Sequence, residues 1–266
     1  CIYGITFLKP SGKMVDDLPN GDKVKTDLIV FQENLAGTMP FEVILDVKNK
    51  KNRFRKSVLV RIDSVQKYLE SFDEISRTTS LVDALKFVNQ SVIYDGDPVD
   101  YQIPETKYLR QIAKRIDLDT IETVGISINM FMDSSGTRTR ITSQIEDVGV
   151  DQLDTIINTV IPRVDEILNP DKKKILAYLG KIKNEENEVK VAYMDSLIYE
   201  FPYIEYSYLA LLKTEKPELY EKYDTDGLDY QTIVSTDFEN LEEAADITFI
   251  GNRVTGFIVP FAKGTK

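Results

Sequence analysis

Apolar residues recur along the first half of the chain at the spacings of alternating helices and strands. Spacings of three and four residues predict amphipathic helices over residues 22–36 and 55–72, the first of them ended by Gly37. Between these helices, residues 39–47 alternate apolar and polar positions and are rich in β-forming residues, which predicts a strand. A second, short strand is predicted around Ile75.

Capping signals mark two further helices. Ser80 and Asp83 have the spacing of a capping box, in which each side chain accepts a hydrogen bond from a backbone amide near the other residue. The helix that follows is predicted to carry Leu81, Leu85 and Val88 on its apolar face. Pro104 stands where a first-turn proline would begin another helix, predicted to run through Ile116.

A β-hairpin and a long helix are predicted next. Two strands over residues 121–132 and 138–146 flank the turn Asp133-Ser134-Ser135-Gly136, whose composition is typical of hairpins. Asp151 is then predicted to cap a long amphipathic helix. Pro162 within that helix predicts a kink about four residues earlier, because a proline removes one helical hydrogen bond and clashes with the preceding turn.

This order of elements predicts an α+β fold. A final strand pair near 246–261 would complete a split β-α-β sheet of the ferredoxin-like kind. We expect that domain to comprise residues 22–170 and 241–266, after an exit segment over residues 1–21. Residues 171–240 are charge-dense and then rich in tyrosine, and they are predicted to form a mainly helical insertion or subdomain.

The tyrosine-rich part of this insertion supplies the candidate substrate contacts. A tyrosine offers a large apolar face with a polar tip, which suits amphiphilic ligands or partner surfaces. The alternative is that these aromatic side chains cover the insertion's own core. The candidates are Tyr199, Phe201, Tyr203, Tyr206 and Tyr208.

The composition removes most catalytic chemistries. The chain has no His and one Cys, which excludes Ser-His-Asp and Cys-His catalysis, His-ligated zinc and an internal disulfide. Its formal charge of −11 repels phosphate backbones, so no nucleic acid is expected as a partner. Paired carboxylates are the catalytic class left open, and no spacing singles out a pair. We therefore expect no enzyme and no cofactor.

One segment resembles part of a calcium-binding loop, and the resemblance fails at the ligand positions. With Gly227 of Asp224-Thr225-Asp226-Gly227 at the sixth position, Lys222 falls where the first carboxylate is required. Ile233 falls where the bidentate glutamate is required. The sequence therefore predicts a capped turn here and no metal site.

The two ends of the chain are apolar. Residues 1–8 carry no charge and precede Lys9, and residues 257–262 are apolar and precede Lys263. This pattern is typical of the edges of membrane helices, and it leads us to expect both ends on one side of the fold. An ordinary buried strand is one alternative at the first end. A lipoprotein whose lipidated N-terminus is Cys1 is another.

Several segments together resemble the first extracytoplasmic loop of exporters in the resistance–nodulation–division (RND) superfamily, including the MMPL-type transporters. The matching segments are a Pro/Gly exit at residues 18–22, the helix from Val24, a strand opening at Met39-Pro40-Phe41, and Thr255-Gly256 before an apolar strand and Lys263-Gly264-Thr265. The resemblance covers residues 1–168 and 246–266. Residues 171–240 are longer than the family pattern leads us to expect.

The resemblance implies a periplasmic porter-type domain between transmembrane helices 1 and 2 of a proton-driven exporter. It implies hydrophobic or amphiphilic substrates, lipids or drugs, and a location at the extracytoplasmic face of a bacterial inner membrane. The implied partners are the rest of the same transporter chain in the membrane and, in some relatives, further copies of it. The alternative function is a free-standing periplasmic or surface lipoprotein that binds a small ligand or a partner protein.

Overall fold

The chain divides into two compact units, described from a computed structural model of residues 13, 18–35, 37–94, 96–116 and 128–256. The first, here called the sheet unit, comprises Cys1–Leu168 and Gly251–Lys266. The second, the helical unit, comprises Asn169–Ile250. Residues 171–240, predicted to be a helical insertion, lie within the helical unit.

One four-stranded sheet organises the sheet unit. Its strands are β1 (Met39–Asp46), β2 (Thr79–Ser80), β3 (Arg138–Ile145) and β4 (Gly251–Gly256). Their order across the sheet is β2-β3-β1-β4, and every neighbouring pair is antiparallel. It follows that β1 runs in the same direction as β2, and β3 in the same direction as β4. The mixed α+β class predicted from the sequence is confirmed.

Five α-helices of this unit lie within the described residues. They are α1 (Lys23–Leu35), α2 (Lys56–Leu69), α3 (Leu81–Val88), α4 (Thr106–Ile116) and α5 (Val150–Leu168). Helix α2 packs on α5, α5 contacts β4, and α3 contacts β3. The capping box predicted at the start of α3 is present, since Val82 N donates to Ser80 Oγ and Ser80 N donates to an Asp83 carboxylate oxygen.

The core follows the alternation of the strands. In β1 the side chains of Met39, Phe41, Val43 and Leu45 are buried. Side chains of a strand alternate between the two faces of the sheet, so burial of one face buries every second residue. Their neighbours on β3 and β4 include the buried Ile141, Ile145 and Val254. The opposite face of the sheet carries polar residues.

The helical unit consists of six helices around a separate apolar core. They are α6 (Lys172–Asn184), α7 (Asn187–Glu200), α8 (Pro202–Glu215), α9 (Pro217–Asp226), α10 (Tyr230–Thr236) and α11 (Phe238–Asp246). Pro202 and Pro217 each occupy a first-turn position, where the missing amide hydrogen costs nothing. Helices α8 and α9 therefore begin at a proline.

The predicted hairpin is described only in part. Residues 117–127 lie outside the described residues, and Ile128–Phe131 form a 3-10 turn, which differs from the predicted end of the strand. Met132 pairs with β3 through a single bridge to Thr139. Farther along β3, strand β2 pairs with Ile141 and Thr142, a pairing that the sequence did not predict.

The predicted final strand pair is also reduced to one described strand. Residues 246–250 end α11 in a tight turn, in which Phe249 N donates to the Asp246 carbonyl at 3.0 Å. Strand β4 begins only at Gly251 and pairs with β1. Residues 257–261 lie outside the described residues, as do residues 1–8, so the predicted proximity of the two ends is a matter for experiment.

Two predicted helix starts differ slightly from the structure. Helix α5 begins at Val150, and the Gly149 carbonyl accepts its first helical hydrogen bond, so Asp151 lies in the first turn instead of capping it. Helix α4 begins at Thr106, with the Glu105 carbonyl accepting from Leu109 N, so Pro104 precedes the helix. Pro162 lies inside a continuous α5.

Candidate functional site

The five aromatic candidates of the helical unit divide into an exposed and a buried set. Tyr199, Tyr206 and Tyr203 are 89%, 71% and 40% exposed. Phe201 and Tyr208 are buried, at 5% and 0% exposure. The two sets therefore have different roles, the first available to a ligand and the second part of the fold.

Helical phase explains this division. In α8 the buried positions recur every four residues at Ile204, Tyr208 and Leu212, which defines the stripe that faces the core. Tyr206 falls outside that stripe. Phe201 lies at the junction between α7 and α8, and its ring meets that of Tyr203 edge-on at a centroid distance of 6.1 Å.

Tyr208 belongs to a buried polar cluster that the sequence did not single out. Its hydroxyl donates to Oδ2 of Asp237, a carboxylate that is 5% exposed. Lys216 Nζ and Asn240 Nδ2 donate to the other carboxylate oxygen at 2.8 and 2.6 Å. These contacts join α8 and α11 through Asp237, the residue before α11. Tyr208 and Lys216 are 29 and 21 residues from Asp237 in sequence, and no local spacing predicts these two contacts.

The protonation states of this cluster follow from burial and hydrogen bonding. Burial, followed by the hydrogen bond to Asp237, raises the pKa of Tyr208 far above its ordinary value. The hydrogen bond to Asp237 likewise raises the pKa of Lys216. The phenol is therefore a fixed donor at any physiological pH, and the cluster serves to hold helices together.

The open face of the sheet carries a polar groove of about 430 Å³. Its floor is the outward-facing side of β1 and β3, and residues just before β2 form one wall. The lining residues are Thr38, Pro40, Glu42, Ser76, Arg77, Thr79, Thr142, Ser143 and Gln144. Alternation in the sequence marks the polar face of each strand, but it cannot tell which strands are neighbours.

Hydroxyl groups dominate the chemistry of this groove. Arg140 approaches Glu42 across the open face at 3.5 Å, so the one carboxylate of the lining already has a cation beside it. Ser76 and Gln144 are joined by backbone and side-chain hydrogen bonds. The groove offers hydrogen bonds to a polar group or to a polypeptide.

Within the part of the chain that the structure describes, no group of three or more Cys, Asp or Glu side chains is arranged to hold a metal ion. No helix in the same residues is long and apolar enough to cross a membrane.

Comparisons with known proteins give no independent guide to the function. No protein-family model matches the chain, and neither a curated protein nor a solved structure is significantly similar to it.

Proposed function

We propose that the chain is the extracytoplasmic substrate-handling domain of a proton-driven RND-type exporter of hydrophobic or amphiphilic compounds. The observation that carries the proposal is the strand order β2-β3-β1-β4 with antiparallel neighbours throughout. That order is what two interleaved split β-α-β units produce, and it supports a ferredoxin-like porter domain.

The connections between strands support the same architecture. Helix α2 lies between β1 and β2, and α5 lies between β3 and β4, so each parallel strand pair is linked through a helix. Helix α2 packs on α5, and α5 contacts β4. The helical unit is inserted in the second connection, between α5 and β4.

Exposed apolar side chains support a partner in the remainder of the same transporter. Val24 and Phe31 of α1 are each 54% exposed, although their spacing places them on one helical face. Exposed apolar surface of this kind is typical of contacts with another protein element or a membrane. The exposed Tyr199 and Tyr206 are the proposed contacts for amphiphilic substrates or partners.

The domain would change shape during transport and carry no chemistry of its own. Proton flow would use acidic residues within transmembrane helices, where an ionisable side chain is costly and therefore functional. A transport domain without chemistry of its own agrees with a composition that lacks His and therefore the usual nucleophile–base pairs.

The coding sequence on either side of the chain tests the proposal. We expect an apolar stretch of about 20 residues before Cys1 and another after Lys266, with further such stretches downstream. A stop codon directly after Lys266, together with a signal peptide that ends at Cys1, would contradict the exporter and favour the lipoprotein.

A further inference from the structure

The sheet unit contains a second cavity, between the loop after β1, the start of α2 and α4, whose lining is strongly basic. Its volume is about 700 Å³, and six of the twelve side chains that line it are cationic. They are Lys50, Lys51, Arg53, Arg55, Lys56 and Arg110. Among the described lining residues there is no Asp or Glu. This concentration of positive charge stands out in a chain whose formal charge is −11.

The first turns of two helices add to that positive potential. Helix α2 begins at Lys56, and its capping residue Arg55 provides no side-chain acceptor. Leu59 N is the first amide to donate within the helix, so Ser57 N, at the cavity wall, is one of the amides that α2 itself leaves unsatisfied. Neither α2 nor α4 has an acidic residue in its first turn. Such helix starts favour anions.

Helix α4 contributes one whole face to the cavity. Thr106, Leu109, Arg110 and Ala113 follow the spacing of a single helical face, and all four line the wall. Leu109 is 1% exposed, so this wall is apolar at its base and cationic at Arg110. A ligand with an anionic group and an apolar part would satisfy both regions.

Arg53 is held in place by the fold itself. It is 4% exposed, and its guanidinium lies 5.0 Å from the ring centroid of Phe54. A Cβ at Gly136 would lie 2.0 Å from one of its nitrogens, so the glycine makes room for this side chain. A buried guanidinium held in this way adds a fixed positive charge to the lining of the cavity.

We propose that this cavity binds a phosphate ester whose organic part is apolar. A volume of about 700 Å³ exceeds what a lone phosphate fills and lies within the range of small-molecule sites. The phosphate would lie among the cations and the start of α2, and the organic part against Phe54 and Leu109. A phospholipid headgroup and a soluble organic phosphate share this chemistry. The proposal stands on the cavity alone and is independent of the exporter function.

Titration of the intact chain with inorganic pyrophosphate, followed by calorimetry, is the first arm of the test. We expect saturable binding that Arg110→Gln, combined with Lys51→Gln, weakens by about tenfold or more. Lys114→Gln is the matched control, because Lys114 is an exposed cation of the same helix outside the cavity lining. Thermal unfolding of each variant establishes that the fold is intact.

Sedimentation with vesicles is the second arm of the test, and it distinguishes a phospholipid headgroup from a soluble organic phosphate. Binding to phosphatidylglycerol vesicles but not to phosphatidylcholine vesicles, lost in the double variant and kept in Lys114→Gln, would support a lipid headgroup. Saturable pyrophosphate binding without vesicle binding would support a soluble phosphate ester. Absence of both kinds of binding would overturn the proposal, and so would an equal loss in the double variant and the Lys114→Gln control.

Discussion

Asn169 and Ile250, which are 81 residues apart in sequence, are joined by two hydrogen bonds at the ends of the helical unit. Asn169 Nδ2 donates to the Ile250 carbonyl at 2.9 Å, and Ile250 N donates to Asn169 Oδ1 at 2.8 Å. Both residues are buried, at 6% and 5% exposure. The pair closes the unit where the chain enters and leaves it.

Asn169→Ala is expected to destabilise the helical unit by about 1–3 kcal/mol, because it leaves a buried amide and a buried carbonyl unsatisfied. Asn184→Ala is the control, since Asn184 makes an exposed hydrogen bond to the Gly180 carbonyl. Denaturant unfolding measures both free energies. Equal effects of the two substitutions would show that the pair contributes nothing beyond a surface hydrogen bond.

Tyr208→Phe is expected to cost about 1–3 kcal/mol of unfolding free energy, because Asp237 then loses a donor that water cannot replace in a buried site. Tyr199→Phe removes the same hydroxyl from a side chain that is 89% exposed, and the expected change is below about 0.5 kcal/mol. Thermal or denaturant unfolding compares the two variants. A neutral Tyr208→Phe would mean that the buried cluster is not a stabilising contact.

Gly37→Ala is expected to weaken the start of β1. Gly37 has φ of +130°, and a Cβ there would lie 2.5 Å from the carbonyl carbon of Ile145. Gly21, with φ of +92° and no atom within 4 Å of its Cβ position, isolates the backbone strain of the same substitution. We expect Gly21→Ala to cost about 1 kcal/mol and Gly37→Ala about 1–3 kcal/mol more. Similar losses in the two variants would argue against close packing of Gly37 on β3.

The acid side of the stability profile is expected to depend on Asp63. Burial opposes ionisation of this carboxyl, but hydrogen bonds from Lys86 and Lys67 outweigh burial and hold its pKa below the ordinary value of 3.8. As the pH falls, Asp63 is therefore protonated in the unfolded chain before it is protonated in the folded chain. The ionised Asp63 carboxylate therefore stabilises the folded chain fully well above pH 3.8. This contribution to the free energy of unfolding is lost as the pH falls through the lower pKa of the folded chain.

Asp63→Asn should therefore flatten the fall in unfolding free energy as the pH is lowered below 3.8. Asp154→Asn, at an exposed carboxylate of α5, is the control and should leave the slope close to that of the parent chain. Chemical denaturation at a series of pH values measures the slopes. An unchanged slope in Asp63→Asn would contradict the assignment.

The sequence predicts elements better than it predicts their neighbours. The alternation of Met39 to Leu45 indicated β1 and its buried face, because one side of that strand faces the core. The same reasoning predicted a strand over residues 121–132, whose described residues Ile128–Phe131 form a 3-10 turn, and it did not predict that β2 pairs with β3. Tertiary contacts decide which strand pairs at the edge of a sheet, and the local pattern of apolar residues does not predict that choice.

In the candidate site, too, the sequence could predict which residues are buried but not their distant partners. The four-residue spacing of Ile204, Tyr208 and Leu212 could have assigned Tyr208 to the core before the structure was known. Its bond to Asp237 spans 29 residues and could not be predicted. The run of cations from Lys48 to Lys56 is visible in the sequence itself. Only its placement beside α4 makes it the wall of a cavity.

The side of the membrane on which the chain lies tests the central claim most directly. A cysteine at position 199, Tyr199→Cys, would be placed in the full-length protein after Cys1→Ser and removal of any other cysteine. Leu212→Cys, at a position with 0% exposure, is the matched control for folding. Spheroplasts are treated with a membrane-impermeant maleimide, and the membrane and soluble fractions are then separated.

The account predicts that Tyr199→Cys is labelled in unlysed spheroplasts, that the labelled protein is in the membrane fraction, and that Leu212→Cys stays unlabelled until the protein is denatured. Labelling of Tyr199→Cys only after lysis would contradict an extracytoplasmic location of the chain.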